Sequence, residues 1–276
     1  MFFFQSTAVA IDTSDFSLFS LTLHLTPEGM KRREYVLDLV FDWIALIRGV
    51  VNDSGNKMKL FHDELCQISD MNFRFRENGD PTSFCSSVAE LLFNYPPNSI
   101  LRGSSETGEY DPEVAKMFLD RIRPNNAFIT IVNSDFSEEG EWLKERWYGA
   151  VFQEVDMSQE QIDRWDSATA EGSALRLPEL NAYIPTDFSL RCDDEEGTDD
   201  GGATPKILVD RPDLRLWHKM DSKWRVPKTF IQVALTSPNL YRSPRTMTLN
   251  RIFERILNDD LNSFVYDANL AGCSYK

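Results

Sequence analysis

A chain of 276 residues, 42% hydrophobic and 12% aromatic, can bury one large or two ordinary cores. Its formal net charge of -15 argues against nucleic acid, because phosphate binding needs a basic surface. The charge suits a cationic or amphipathic peptide, and it also serves plain solubility. No apolar run approaches the roughly 20 residues of a membrane helix, so no membrane association is expected. Met1 to Phe4 is too short, and lacks the basic flank, for a signal-peptide core. Cys66, Cys85, Cys192 and Cys273 are scattered without CxxC spacing and are expected to be free thiols in a reducing, cytoplasmic compartment.

In chain order, the first unit is a strand running into a helix. Phe16, Leu18, Leu21, Leu23 and Leu25 give an imperfect period-two pattern. Thr26-Pro27-Glu28 supplies an N-cap, a first-turn proline and an acid at the positive end of the helix dipole. Val36, Leu39, Val40, Trp43, Ile44 and Ile47 follow at helical spacing, until Asn52 to Asn56 breaks the pattern. A second helix is predicted from about Lys59 to Glu77. A third opens at Asp80-Pro81 and ends at Tyr95-Pro96-Pro97, and a fourth opens at Asp111-Pro112 and closes before Pro124.

Ala127 to Val132 is predicted as a short buried strand and Trp147 to Val155 as another. Ser158 and Gln161 form a capping box for a helix ending near Ala168. A polar extended stretch runs from Leu177 to Leu190. Cys192 to Thr204, dense in Asp, Glu and Gly, is expected to be a flexible surface loop. Leu214 to Lys219 and Trp224 to Lys228 are predicted to pair across Asp221-Ser222. Phe230 to Thr236 is a further strand, and Ser243-Pro244 starts a helix carrying Met247, Ile252, Phe253, Ile256 and Leu257.

The runs Leu21 to Pro27 and Ile231 to Pro238 both pass from strand through a proline turn into a long amphipathic helix. One αβ unit occurs twice, or two ordinary strand–helix units happen to match. About 50 residues after Lys228 bury too little surface alone, and with no further strands after Asn269 to Lys276 to complete a sheet, this second unit is expected to be truncated.

Several stretches resemble the insulysin and nardilysin group of inverted-motif zinc peptidases. They are LTPEGM (Leu25 to Met30), FDWIALIR (Phe41 to Arg48), FRFRENGDP (Phe73 to Pro81), RIRPNN (Arg121 to Asn126) and ERWYGAVF (Glu145 to Phe152). LPELNAYIPTDFSL (Leu177 to Leu190), LWHKMDSKWRVPK (Leu216 to Lys228) and LNSFVYDANLAGCSYK (Leu261 to Lys276) follow in the family's order. The resemblance implies an α+β chain of two-layer αβ domains. Residues 1–210 would be the second, middle domain lacking its N-terminal strands, 211–227 the connector, and 228–276 the truncated start of a third domain. It further implies peptide substrates and a chamber wall. By the same likeness, the edge strand before the LTPEGM turn, at Thr7, Ala8, Val9 and Ala10, anchors a peptide by strand addition. The family favours glycines there, and this sequence has none.

The family's zinc is held by an HxxEH helix with a downstream glutamate. This chain has three histidines, His24, His62 and His218, and no two lie within five residues. No catalytic residue, no metal ligand and no cofactor of its own are therefore expected, and zinc belongs to the full-length family. His62 and Cys66 are spaced for a dyad on one helical face, or are a surface histidine beside a core cysteine. His62-Asp63-Glu64 points to different faces, and the acidic run near Asp193 lacks calcium-loop spacing. The function expected is a non-catalytic middle portion of a zinc endopeptidase, partnered by the missing catalytic half or by further copies. A pseudoprotease-type peptide-binding module is the alternative, and an enzyme with an unrelated site a third.

Overall fold

The computed structural model describes residues 3–13, 15–52, 57–77, 79–134, 142–169, 171–172, 174, 175–190, 204–221 and 223–274. Within them, helix starts follow local chemistry. Thr26 Oγ1 accepts the Gly29 N–H at 3.1 Å to open α1 (Pro27–Lys31), which is followed by α2 (Arg33–Asn52) and α3 (Lys57–Arg74). Asp80 accepts the Ser83 N–H at 2.8 Å at the head of α4 (Pro81–Leu91). Asp111 accepts the Glu113 N–H at 2.9 Å at the head of α5 (Pro112–Leu119). Reciprocal boxes, Ser158 with Gln161 and Ser243 with Thr246, open α6 (Gln159–Asp166) and α7 (Pro244–Leu270). Each cap satisfies a donor the helix leaves orphaned and contributes about 1 kcal/mol.

The strands pair only as hairpins among the described residues: β1 (Phe3–Asp12) with β2 (Ser17–Leu25), β3 (Leu143–Lys144) with β4 (Val151–Phe152), and β5 (Lys206–Arg211) with β6 (Leu214–His218). Helices plus small antiparallel sheets make the class α+β, as the sequence implied. Strand placement needs correction. Ala127 to Val132 is extended but pairs with no strand among the described residues, and Phe128 is 95% exposed rather than buried. Phe230 to Thr236 is likewise extended and unpaired, with Phe230 93% exposed. Trp147 and Tyr148 occupy a turn, leaving only Val151–Phe152 as strand. Leu214–His218 pairs with Lys206–Arg211 and not with Trp224 to Lys228, because the turn at Pro212-Asp213 closes a shorter loop. The acidic run from Cys192 to Ala203, and Ser222, lie outside the described residues.

The chain divides into two units, Met1–Leu60 with Glu109–Glu179, and Phe61–Gly108 with Leu180–Lys276. In the first, α2 and α6 build the core. Phe41 stacks on Trp165 with ring centroids 4.8 Å apart, and Ile44 completes a buried cluster lined by Leu37, Val40, Ile122 and Met157. The Trp165 indole N–H donates to Asp38 at 2.7 Å, and Arg164 meets the same carboxylate at 3.0 Å. Phe19 of β2 packs edge-on to Phe118 of α5 at 6.3 Å.

One turn beyond Asp38 on α2 lies Asp42. Burial, and then the Asp38 charge, push its carboxyl above the usual carboxylate range. The folded unit thus binds that proton more tightly than the unfolded chain. This contribution is present below the ordinary aspartate range and is lost as pH rises through the raised value. Asp42→Asn is expected to stabilise the unit by about 0.5 kcal/mol at neutral pH, with the gain fading toward about pH 4. Denaturant unfolding of both chains at the two pH values measures it, and an equal effect at both would refute the electrostatic account.

In the second unit Asn181 is a tie point: its backbone N–H donates to Glu64 of α3 at 2.6 Å and its side-chain amide to the Asp267 carbonyl of α7 at 2.8 Å. Arg74 lies over the rings of Phe75 and Phe188, at 5.2 and 5.1 Å. Gly103 sits against the Tyr95 ring, where an added Cβ would fall 2.3 Å from a ring carbon. α7 ends in a Schellman motif: Gly272, at φ +84, lets the Cys273 N–H reach the Ala268 carbonyl at 2.8 Å and its own N–H the Asn269 carbonyl at 3.0 Å.

Candidate functional site

The four positions expected to anchor a peptide all fall on β1. In antiparallel register Thr7 faces Thr22, Ala8 faces Leu21, Val9 faces Ser20 and Ala10 faces Phe19. The hairpin closes at Thr13, whose hydroxyl oxygen accepts the Phe16 N–H at 3.1 Å while its backbone N–H donates to the Phe16 carbonyl at 3.0 Å. β1 pairs with β2 alone among the described residues, so its opposite edge faces no strand there. Thr7 to Ala10 are exposed.

Alternation puts Thr7, Val9 and Ile11 on one face and Ala8 and Ala10 on the other. Two methyl side chains leave the second face low, which limits steric resistance to a chain lying beside it. The edge offers main-chain donors and acceptors at strand spacing, and needs no glycine to do so. Such an edge can bind an extended peptide by adding it as a third strand.

The histidines do not converge on one element. His24 lies on β2, His62 on α3 and His218 on β6. Among the described residues no group of three or more His, Cys, Asp or Glu side chains is arranged to hold a metal ion. A zinc site needs about three such donors on one open centre, and the described side chains offer no such set. His62 does meet Cys66, its Nδ1 lying 3.5 Å from Sγ, as the four-residue spacing allows. Thr107 joins them from 41 residues away, and no sequence signal marks it.

Three of the resemblance motifs supply packing or tethering residues, whereas ERWYGAVF leaves Trp147 and Tyr148 exposed and LWHKMDSKWRVPK leaves Trp217 and Trp224 exposed. FDWIALIR supplies Phe41, Ile44 and Arg48; RIRPNN supplies Ile122 and the fully buried Pro124; LPELNAYIPTDFSL supplies Asn181 and Phe188. The crystal structure of pitrilysin superposes with a TM-score of 0.69 at 21% identity, covering 98% of this chain and 28% of that one. The architecture is accordingly part of a pitrilysin-type α+β domain. Nardilysin of Pongo abelii is 31% identical over 264 residues, covering 95% of this chain and 22% of its own length. Insulin-degrading enzyme of Bos taurus is 29% identical over 260 residues, covering 94% of this chain and 24% of its own. The chain thus spans about a quarter of the length of these curated relatives. Residues 73–276 match the family model described as the middle or third domain of peptidase M16. This chain belongs to the peptidase M16 family. No described helix is long and apolar enough to cross a membrane.

Proposed function

We propose that this chain is a non-catalytic middle portion of a zinc endopeptidase of the M16 family, and that it lines a peptide chamber. The observation that carries the proposal is the family match over residues 73–276 together with three histidines too scattered for an HxxEH motif. In this reading residues 1–210 are the middle domain, 211–227 the connector and 228–276 the start of the third domain. Zinc and the catalytic base come from elsewhere in the enzyme, which is cytoplasmic.

Within this assignment β1 is the contact for substrate. The main chain of an extended peptide pairs along Thr7 to Ala10, and the acidic charge of the chain favours cationic peptides. A fluorescent basic peptide titrated against the chain is expected to bind, and Ala8→Pro to weaken it about tenfold through loss of a main-chain donor. Because proline also strains the hairpin, the same peptide N-methylated at alternate amides is titrated against the unaltered chain. Unchanged affinity in both arms would remove the edge as a site. Zinc supplied to the chain is expected neither to bind stoichiometrically nor to support cleavage. Tightly held zinc with chelator-sensitive hydrolysis would overturn the whole assignment.

A further inference from the structure

His62 and Cys66 lie one turn apart on α3, and the segment after the Gly103–Ser105 turn brings Thr107 to the same sulfur. Cys66 Sγ is 2.7 Å from Thr107 Oγ1, 3.5 Å from His62 Nδ1 and 4.0 Å from His62 Nε2. Two contacts hold that segment on the helix. The Ser69 hydroxyl donates to the Ser105 carbonyl at 2.8 Å, and Arg102 bridges Asp70 and Glu106 at 3.1 Å each. The Asp63 carboxylate stands 3.9 Å from His62 Nδ1. Cys66 is partly exposed, while Cys85 and Cys273 are exposed. Peptide pairing along β1 uses none of these groups.

We propose that Cys66 is a modification site, a thiol that exchanges with small disulfides using His62 as its base and the Thr107 hydroxyl as a donor to sulfur. With the imidazole proton on Nε2, Nδ1 is free of hydrogen and takes the Cys66 proton. The sulfur bonds to one sulfur of the disulfide, and the old S–S bond breaks. The departing thiolate then recovers the proton from His62. The products are a protein mixed disulfide and one small thiol, with electrons and protons balanced. While His62 holds the proton, the Asp63 carboxylate offsets its charge. Helix geometry fixes the base, because residues four apart share a face. The tertiary fold supplies the hydroxyl.

The test adds neutral dithiodipyridine to the full 276-residue chain and maps early labelling by mass spectrometry. Cys66 is expected to label about tenfold faster than Cys85 and Cys273 although it is less exposed. That lead is expected to vanish in denaturant and to fall in both His62→Gln and Thr107→Val. Labelling of Cys66 no faster than the two exposed thiols in the native chain overturns the proposal. So does a lead unchanged in either variant. Should a variant lose its helical circular dichroism, the native comparison decides alone, since it needs no substitution.

Discussion

Replacing Trp165 by alanine is expected to remove about 3–4 kcal/mol from the unit that carries β1. The indole is 3% exposed, and its stacking on Phe41 adds to what area burial alone supplies. Its N–H also satisfies Asp38, but Arg164 stays on that carboxylate, so the substitution leaves no orphaned charge. The loss is therefore mainly cavity and dispersion. Trp165→Phe keeps a ring against Phe41 and should recover roughly half of it. Against a typical domain stability of about 5–15 kcal/mol, the alanine variant becomes marginal. Thermal unfolding followed by far-ultraviolet circular dichroism reads this directly. A change below about 1 kcal/mol would mean that the Phe41–Trp165 stack is not what holds α6 to α2.

That α6 would pack on α2 was not legible from spacing, although both helices were. Their starts depend on groups within four residues: Thr26, Asp80, Asp111, Ser158 and Ser243 each accept a backbone N–H just downstream, and proline follows four of them directly. Such signals survive in any context. Strands depend on a partner that local sequence does not name. Lys206–Arg211 alternates charge with apolar residues weakly and was missed, yet it pairs with Leu214–His218. Ala127 to Val132 and Phe230 to Thr236 have strand composition but face no strand among the described residues. The candidate edge shows the same division. The run Thr7-Ala8-Val9-Ala10-Ile11 has no polar alternation to announce a half-buried strand, and only its place before LTPEGM suggested one. His62 and Cys66 were legible because helix periodicity is local; Thr107 was not, because only the folded chain brings it near.

Arg48→Met is the sharper test of how the same unit is held. Arg48, near the end of α2, donates through Nη2 to the Leu119 carbonyl at 3.2 Å and to the Ile122 carbonyl. The first bond adds to the Ile122 N–H that already reaches the Leu119 carbonyl, the last of α5, at 3.1 Å, and the second holds the turn that follows the helix. Two terms oppose this gain. Burial works against the guanidinium charge, as does nearby Arg123, while Asp166 and Asp120 favour it. The buried Nε has no acceptor among the described residues. Methionine removes that orphaned donor but takes a charged partner from both carbonyls, of which only Leu119 keeps another, the Ile122 N–H at 3.1 Å; hydrogen bonds to a charged group contribute about 1.5–3 kcal/mol each. The carbonyls outweigh the donor, and a net loss of about 2 kcal/mol is expected, with the denaturant midpoint falling at constant slope. Arg48→Lys keeps the charge on a shorter stem and should restore part of it. A methionine variant as stable as the parent would show that desolvating the guanidinium consumes all that the two bonds supply.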